Sequence, residues 1–358
     1  MRLVLAVQLL AALACVSAFS TVPSSRFVAA RAASAWSSQT GVRGHAPVMA
    51  LKGLAKKAKI AEVAKAKADL EASSPHSAVF EYLKQGQEGA AAKARPSVVT
   101  PVLRKMPGTL SVVAEYRRNL RSGFIASILE PELLSPMFRD GGASAVAIAL
   151  DRNSGGCTEA DVKAVIKEQS IAIGDFPGAL PVITRDLVVD EFQVAHAKTL
   201  GAIGVTISMG LVGPERAAEL VDFTGALDME AIVQVTNQEE VEAALQLGAT
   251  ILSVTGNPPD EACDLKKHIP DSVLAIVHVD RRSDEGLDEI EDCWILRDSG
   301  YNCIWASEML YKAGQMQAES VIAVIKAIRA KASVKYGRAR GMSGRGEGAK
   351  EFLATLAT

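Results

Sequence analysis

Between residues 111 and 330 one alternation repeats eight times: a short run rich in Val and Ile, then an amphipathic stretch of ten or more residues. The apolar runs fall at 111–116, 144–150, 180–184, 203–208, 229–235, 250–254, 272–279 and 302–306, and each predicts a strand. The stretches between them, such as 214–221, 238–247 and 318–330, carry helical periodicity. Eight β-then-α units within about 220 residues have the size and order of an α/β fold of the (β/α)8 TIM barrel type, here spanning 111–332. A doubly wound sheet is the competing arrangement. It favours a Gly-rich phosphate turn after its first strand, where this chain has Glu115-Tyr116-Arg117-Arg118.

The flanks have different compositions. Residues 51–110 form an N-terminal helical extension of the barrel, with apolar residues at helical spacing at Ile60, Val63, Ala64 and Ala68, then at Val79, Tyr82 and Leu83. Residues 333–358 are a basic, Gly-rich tail that cannot build a core and is expected to be disordered in part. It is read either as a solvated extension or as a dock for an anionic partner. Of the 39 basic and 41 acidic residues, the first 50 positions hold four arginines and no acid, so the remainder has a net charge of −6. That balance gives the barrel no reason to be a dedicated nucleic-acid binder.

The first 50 residues read as an address. Arg2 and the apolar run 3–16, closed by Ser17 and Ala18, fit a signal peptide over 1–18 whose core is too short to span a bilayer. No transmembrane segment is expected in the mature protein. The acid-free Ser/Ala/Arg stretch 19–50 has transit-segment composition. With Phe19 directly after the small residues, the pair resembles the two-part presequences of complex plastids, which implies the plastid stroma and a second cleavage near Met49; plain secretion is the alternative. Cys157, Cys263, Cys293 and Cys303 remain in the mature chain with no C-x-x-C pair and no His at ligand spacing. They read as buried or half-buried thiols, with no metal site and no cofactor.

In a barrel, chemistry gathers where the strands end at their C-terminal edges. The residues placed there are Glu115 and Arg117, Asp151, Arg185 and Asp186, Gln234, Thr255, His278 and Asp280, and Ser307 and Glu308. The set is rich in Arg, which clamps carboxylates and phosphates but does not shuttle protons. Glu115 is the acid/base candidate, unless it merely pairs with Arg117 or Arg185. His278 is the one histidine at a strand end, either a replacement base or a satisfied rim residue.

These residues resemble the indole-3-glycerol-phosphate synthase family over roughly 51–330. The likeness rests on Ser111-Val112-Val113-Ala114-Glu115-Tyr116, Gly141-Gly142-Ala143, Pro181-Val182-Ile183-Thr184-Arg185-Asp186-Leu187 with Val188-Val189-Asp190-Glu191-Phe192-Gln193, Val233-Gln234-Val235, Gly248-Ala249 and Ser307-Glu308, in order. It implies an enzyme of the tryptophan-biosynthesis lineage, a carboxy-lyase that closes the indole ring of a phosphorylated anthranilate-ribulose adduct with loss of carbon dioxide and water, without cofactor or metal. The resemblance implies a first-strand glutamate at Glu115. It also exposes substitutions: Arg117 stands for a substrate-binding lysine, Arg185 for the general-acid lysine, Gln234 for a glutamate and Thr255 for an asparagine. His278-Val279-Asp280 stands for a Glu-Ser-Gly, and Asn119-Leu120-Arg121-Ser122 replaces a Ser-Pro-Ser in a loop one residue shorter.

Loss of the lysine acid and the glutamate base together removes the proton traffic that ring closure needs. Asp280 repels a phosphate where glycine would admit one, unless Arg281 and Arg282 turn inward rather than into solvent. The expected function is therefore a pseudoenzyme-like member with Glu115, Arg185, Gln234 and His278 at the former catalytic positions. Arg117, Arg185, Thr255 and Ser307 would contact a small anionic or carboxylate ligand, with a protein in the plastid as the second candidate partner. An active synthase whose arginines replace lysines, and a different reaction using Glu115 and His278 on a related phosphorylated or carboxylated substrate, are the alternatives. A reporter behind residues 1–50 is expected to enter the plastid, and Phe19→Ala to hold it outside the inner compartment. Fluorescence localisation of both fusions checks this, and unchanged import of the variant would remove the role given to Phe19.

Overall fold

The computed structural model describes residues 45–89, 97, 99–120, 123–124, 130–280, 287–311 and 318–330. The presequence up to residue 44, Arg121 and Ser122, Arg281 and Arg282, and the tail from 331 lie outside the described residues. The chain divides into units 1–51 and 52–358, and the second carries the barrel.

Eight parallel strands close on themselves: β1 (Ser111–Tyr116), β2 (Ala145–Ala149), β3 (Val182–Arg185), β4 (Gly204–Ser208), β5 (Glu230–Val235), β6 (Ile251–Val254), β7 (Leu274–Val279) and β8 (Cys303–Ala306). Each strand pairs with its sequence neighbours, and β8 returns to β1 through Ser111↔Cys303 and Ala114↔Ala306. The fold is a (β/α)8 barrel. All eight apolar runs are strands, trimmed by one or two residues at their N-terminal ends in most cases.

Among the described residues three helices precede the barrel: α1 (His45–Ser73), α2 (Ala78–Glu88) and α3 (Val99–Leu103). Val63, Val79 and Leu83 are buried, whereas Ile60 is 47% exposed, so the apolar face of α1 is narrower than its spacing suggests. Short α3 closes the barrel floor. Its Val99 and Leu103 are fully buried among Val113, Ala145, Ile183, Ile251 and Cys303. Glu230, at the start of β5, holds it there by accepting from the Val99 N–H and from Thr100 Oγ1 at 3.0 Å.

The outer ring comprises α4 (Pro131–Gly141), α5 (Glu159–Ile171), α6 (Glu191–Leu200), α7 (Met209–Val212), α8 (Pro214–Ala226), α9 (Gln238–Gln246), α10 (Pro259–Lys266), α11 (Leu287–Ser299) and α12 (Ala318–Ala330). Local chemistry starts these helices at the strand exits. Thr158 and Asp161 form a capping box on α5, and Asp190 and Gln193 form one on α6. α2 lies so close to α8 that a Cβ on Gly86 would meet the Phe223 ring at 2.3 Å. After β1 the chain does not form a plain loop: Asn119–Leu120 pairs antiparallel with Gly123–Phe124. The N–H groups of Arg118 and Asn119 both donate to Gly155 O, which keeps this exit extended. Among the described residues no helix is long and apolar enough to cross a membrane.

Candidate functional site in the barrel mouth

Alternation along each strand sends every second side chain inward, and the strand register sorts those side chains into layers of four from alternate strands. Val113, Ile183, Ile232 and Ile276 from the odd strands make a dry layer. Above it lie Ala147, Thr206, Ser253 and Trp305 from the even strands, all fully buried. The next odd layer is Glu115, Arg185, Gln234 and His278, at matching heights by the pairings Ala149↔Arg185, Ser208↔Gln234 and Trp305↔His278. The four residues expected at the former catalytic positions therefore form a single tier. Trp305 is the one large side chain in the tier below. Its indole reaches upward to the Glu115 carboxylate and the His278 ring.

Glu115 is completely buried and every contact to its carboxylate comes from a donor. Trp305 Nε1 donates at 2.6 Å and Ser307 Oγ at 2.9 Å. Arg185 Nη1 bridges both oxygens at 3.0 and 3.1 Å. Arg117 Nη1 stands 3.7 Å away. Arg117 is itself saturated: Nε donates to Asn119 O at 2.8 Å, Nη1 to Ser307 Oγ at 3.0 Å and Nη2 to Ser154 O, with Glu308 Oε1 3.4 Å from Nη1. Arg185 differs. Its side chain is 30% exposed, it lines the opening, and among the described residues only Nη1 is engaged, which leaves the donors of Nη2 and Nε unused. That opening is a cavity of about 380 Å³ lined by Arg117, Arg185, Asn153, Ser154, Asp280 and Glu308 among others.

The other half of the tier is uncharged. His278 stacks on Trp305 with ring centroids 4.7 Å apart and planes 13° from parallel. Burial, and secondarily the positive charge of Arg185, push its pKa well below 6.5, so the imidazole is neutral at physiological pH. Its Nε2, the Nε2 of Gln234 and the Oγ of Ser253 are buried without a hydrogen-bond partner among the described residues. Thr255 follows β6 at the rim, half-buried, its backbone N–H bonded to Val235 O at 3.0 Å.

Asp151 and Asp186 lie at strand exits but turn away from the tier. Asp151 Oδ2 accepts from the N–H and hydroxyl of Ser154. Asp186 Oδ1 lies 2.8 Å from Lys59 Nζ, and Oδ2 accepts from Gln193 Nε2. Lys59, 5% exposed on α1, also approaches Glu62 at 3.3 Å and Asp151 at 3.9 Å. Burial acts against its charge, but Asp186 outweighs it and the pKa is raised. Sequence reasoning missed Lys59, Trp305 and Ser253. Lys59 is one lysine in a Lys-rich helix, but the other two follow from counting inward positions on β8 and β6. His196 sits outside the tier, 3.3 Å from Glu159. Cys157, Cys293 and Cys303 are buried free thiols and Cys263 is half-buried.

A closed parallel barrel with its charged and hydrogen-bonding side chains gathered at the strands' C-terminal ends defines a (β/α)8 protein whose site lies in the mouth. The family model for indole-3-glycerol phosphate synthase matches residues 54–257, more than half of the chain. The chain belongs to the indole-3-glycerol-phosphate synthase family. It is similar to indole-3-glycerol phosphate synthase 2 of Streptomyces coelicolor, 29% identical over 233 residues, covering 63% of this chain and 84% of that protein. The enzyme of Carboxydothermus hydrogenoformans is 26% identical over 243 residues (65% and 87%), and that of Chlorobium phaeovibrioides 22% over 225 (60% and 80%). Among solved structures, the 2-keto-3-deoxy-6-phospho-gluconate aldolase of Zymomonas mobilis matches at a TM-score of 0.46 and 14% identity, covering 65% of this chain and 97% of that one. The family match takes in β1 to β6 and stops before β7 and β8.

His278 generates a pH dependence of stability. Its pKa is depressed on folding, so between that value and the unfolded 6.5 the unfolded chain binds more protons, and stability falls as pH drops below 6.5. His278→Phe keeps the stack on Trp305 and removes the titration. Denaturant unfolding from pH 7 downward is expected to show a shallower acid slope for the variant than for the parent protein. Parallel slopes would mean that folding leaves the pKa of His278 unshifted.

Proposed function

We propose that this chain is a divergent member of its family in which the barrel mouth binds a small monocarboxylate and no longer closes an indole ring, acting as a binding or regulatory protein of the plastid stroma. The observation that carries this reading is the sealed state of Glu115. A general base needs a lone pair within reach of substrate, and here Arg185, Trp305 and Ser307 take up the carboxylate.

The neighbouring groups do not replace it. Gln234 cannot accept a proton in a working cycle. His278 carries a depressed pKa, so it holds a proton weakly and makes a poor base at neutral pH. Arg185 remains charged throughout and cannot deliver the proton that a lysine acid would. Each lost acid or base is typically worth about 10²- to 10⁴-fold.

Ligand charge follows from the lining. Arg117 and Arg185 face Glu115, Glu308 and Asp280, so the opening offers no net positive charge to a phosphate dianion. The saturation of Arg117 also narrows the two-arginine clamp foreseen from sequence to the free edge of Arg185. One edge of a guanidinium suits one planar carboxylate.

The purified chain is expected to leave the anthranilate-ribulose phosphate adduct unconverted and to fail to rescue a tryptophan auxotroph; rescue would refute the loss of chemistry. In thermal-shift titration anthranilate is expected to stabilise the protein more than ribose 5-phosphate does. Arg185→Lys, which keeps the charge but cannot hold Glu115 and a ligand together, should abolish that response. Equal indifference of the parent protein to both ligands would exclude a working anion site.

A further inference from the structure

The two upper tiers of the barrel interior, that of Trp305 and Ser253 and the one above it, have two unlike sides. On the β1–β3 side the polar groups are matched to one another, with Glu115 held by Arg185. On the β5–β7 side three buried polar atoms lack a partner among the described residues: Gln234 Nε2, Ser253 Oγ and His278 Nε2. An unsatisfied buried polar group is costly, so such groups in native proteins are normally matched by a ligand or a fixed water.

Their placement is compact. Gln234 and Ser253 are direct cross-strand partners, and His278 lies one inward position above Ile276, the partner of Ser253. Adjacent strands are about 4.8 Å apart, so the three side chains line one sector of the wall. Ser253 is fully buried and His278 is 8% exposed, its ring plane fixed by the stack on Trp305. The amide nitrogen is a donor only, the hydroxyl can donate, and a neutral imidazole nitrogen can donate in one tautomer. Donors call for an acceptor. None of the three carries charge, and a buried anion without a cation is strongly disfavoured. The acceptor that suits them is an uncharged carbonyl oxygen.

We propose that Gln234, Ser253 and His278 form a carbonyl-binding subsite, and that the ligand of this mouth is an oxo- or acyl-carboxylate with its carboxylate on the free edge of Arg185 and its carbonyl on these three residues. This rests on the reading of the mouth as a monocarboxylate site and specifies the ligand class. The subsite selects by hydrogen bonding: a ligand lacking the carbonyl leaves the donors unmatched.

Calorimetric titration of the full chain with pentanoate, 2-oxopentanoate and 4-oxopentanoate tests it, because the oxo acids differ from pentanoate at a single carbon. One of the oxo acids is expected to bind about tenfold more tightly than pentanoate. In Ser253→Ala and in His278→Phe the ratio of the two affinities should fall toward one. Ser253→Ala is also expected to leave the melting temperature of the ligand-free protein unchanged or raised, since the deleted hydroxyl has no protein partner to lose. Equal binding of all three acids, or a crystal structure of the oxo-acid complex with fixed water on the three atoms and the carbonyl elsewhere, would overturn the subsite while leaving a carboxylate site in place. Loss of melting temperature in Ser253→Ala would overturn it too, by showing a protein partner for the hydroxyl. Binding of none of the acids would overturn the carboxylate reading and the subsite together.

Discussion

A carboxylate with no solvent exposure must find its donors inside the protein, and the mouth of this barrel is organised around that requirement at Glu115. Trp305 reaches up from the tier below, Ser307 comes from the β8 exit, and Arg185 crosses from β3. Each is thereby fixed in turn. The indole that serves Glu115 also forms the platform for His278. The hydroxyl that serves Glu115 accepts from Arg117, and Arg117 ties down the exits after β1 and β2 through Asn119 and Ser154. Tyr311 adds a bond from its hydroxyl to Glu115 O at 2.8 Å, drawing in the segment after β8.

Arginine keeps the charge of a lysine but not its geometry. A lysine presents one compact ammonium, whereas a guanidinium presents several donors in a plane and can serve an internal partner and the opening at once. At position 185 one nitrogen is committed to Glu115 and the other two have no partner among the described residues. At position 117 all three nitrogens are committed. Two residues of the same type in the same mouth thus differ, one with donors to spare and one bound into the scaffold.

The repeating pattern of the chain made the architecture legible, because strands buried in a closed barrel read as short Val/Ile runs and the helices between them keep their own period. The tier of Glu115, Arg185, Gln234 and His278 was legible residue by residue from the strand ends. Its internal wiring was not. Whether Arg117 or Arg185 is free depends on where Ser307, Ser154 and Asn119 lie, and those come from three separate strand exits. Trp305 and Ser253 looked like ordinary strand residues until register placed them under the tier. Lys59 lies 127 positions before Asp186 in the sequence, and no local pattern joins them. The pairing of Asn119–Leu120 with Gly123–Phe124 lies beside two N–H groups that share the carbonyl of Gly155, a contact across the β1 and β2 exits.

The central claim is that Glu115 and Arg185 act as one unit, and a double-mutant cycle on folding stability measures that coupling directly. Denaturant unfolding of the parent protein, Glu115→Gln, Arg185→Met and the double variant would be compared under one buffer. Breaking a buried pair from one side costs about 3 to 5 kcal/mol when both partners are enclosed, and less here because Arg185 is partly exposed. The account predicts a coupling of about 2 kcal/mol, with the double variant losing clearly less than the sum of the two single ones. Additive losses would show that Glu115 and Arg185 stand independently, and the sealed state of Glu115 would lose its physical basis.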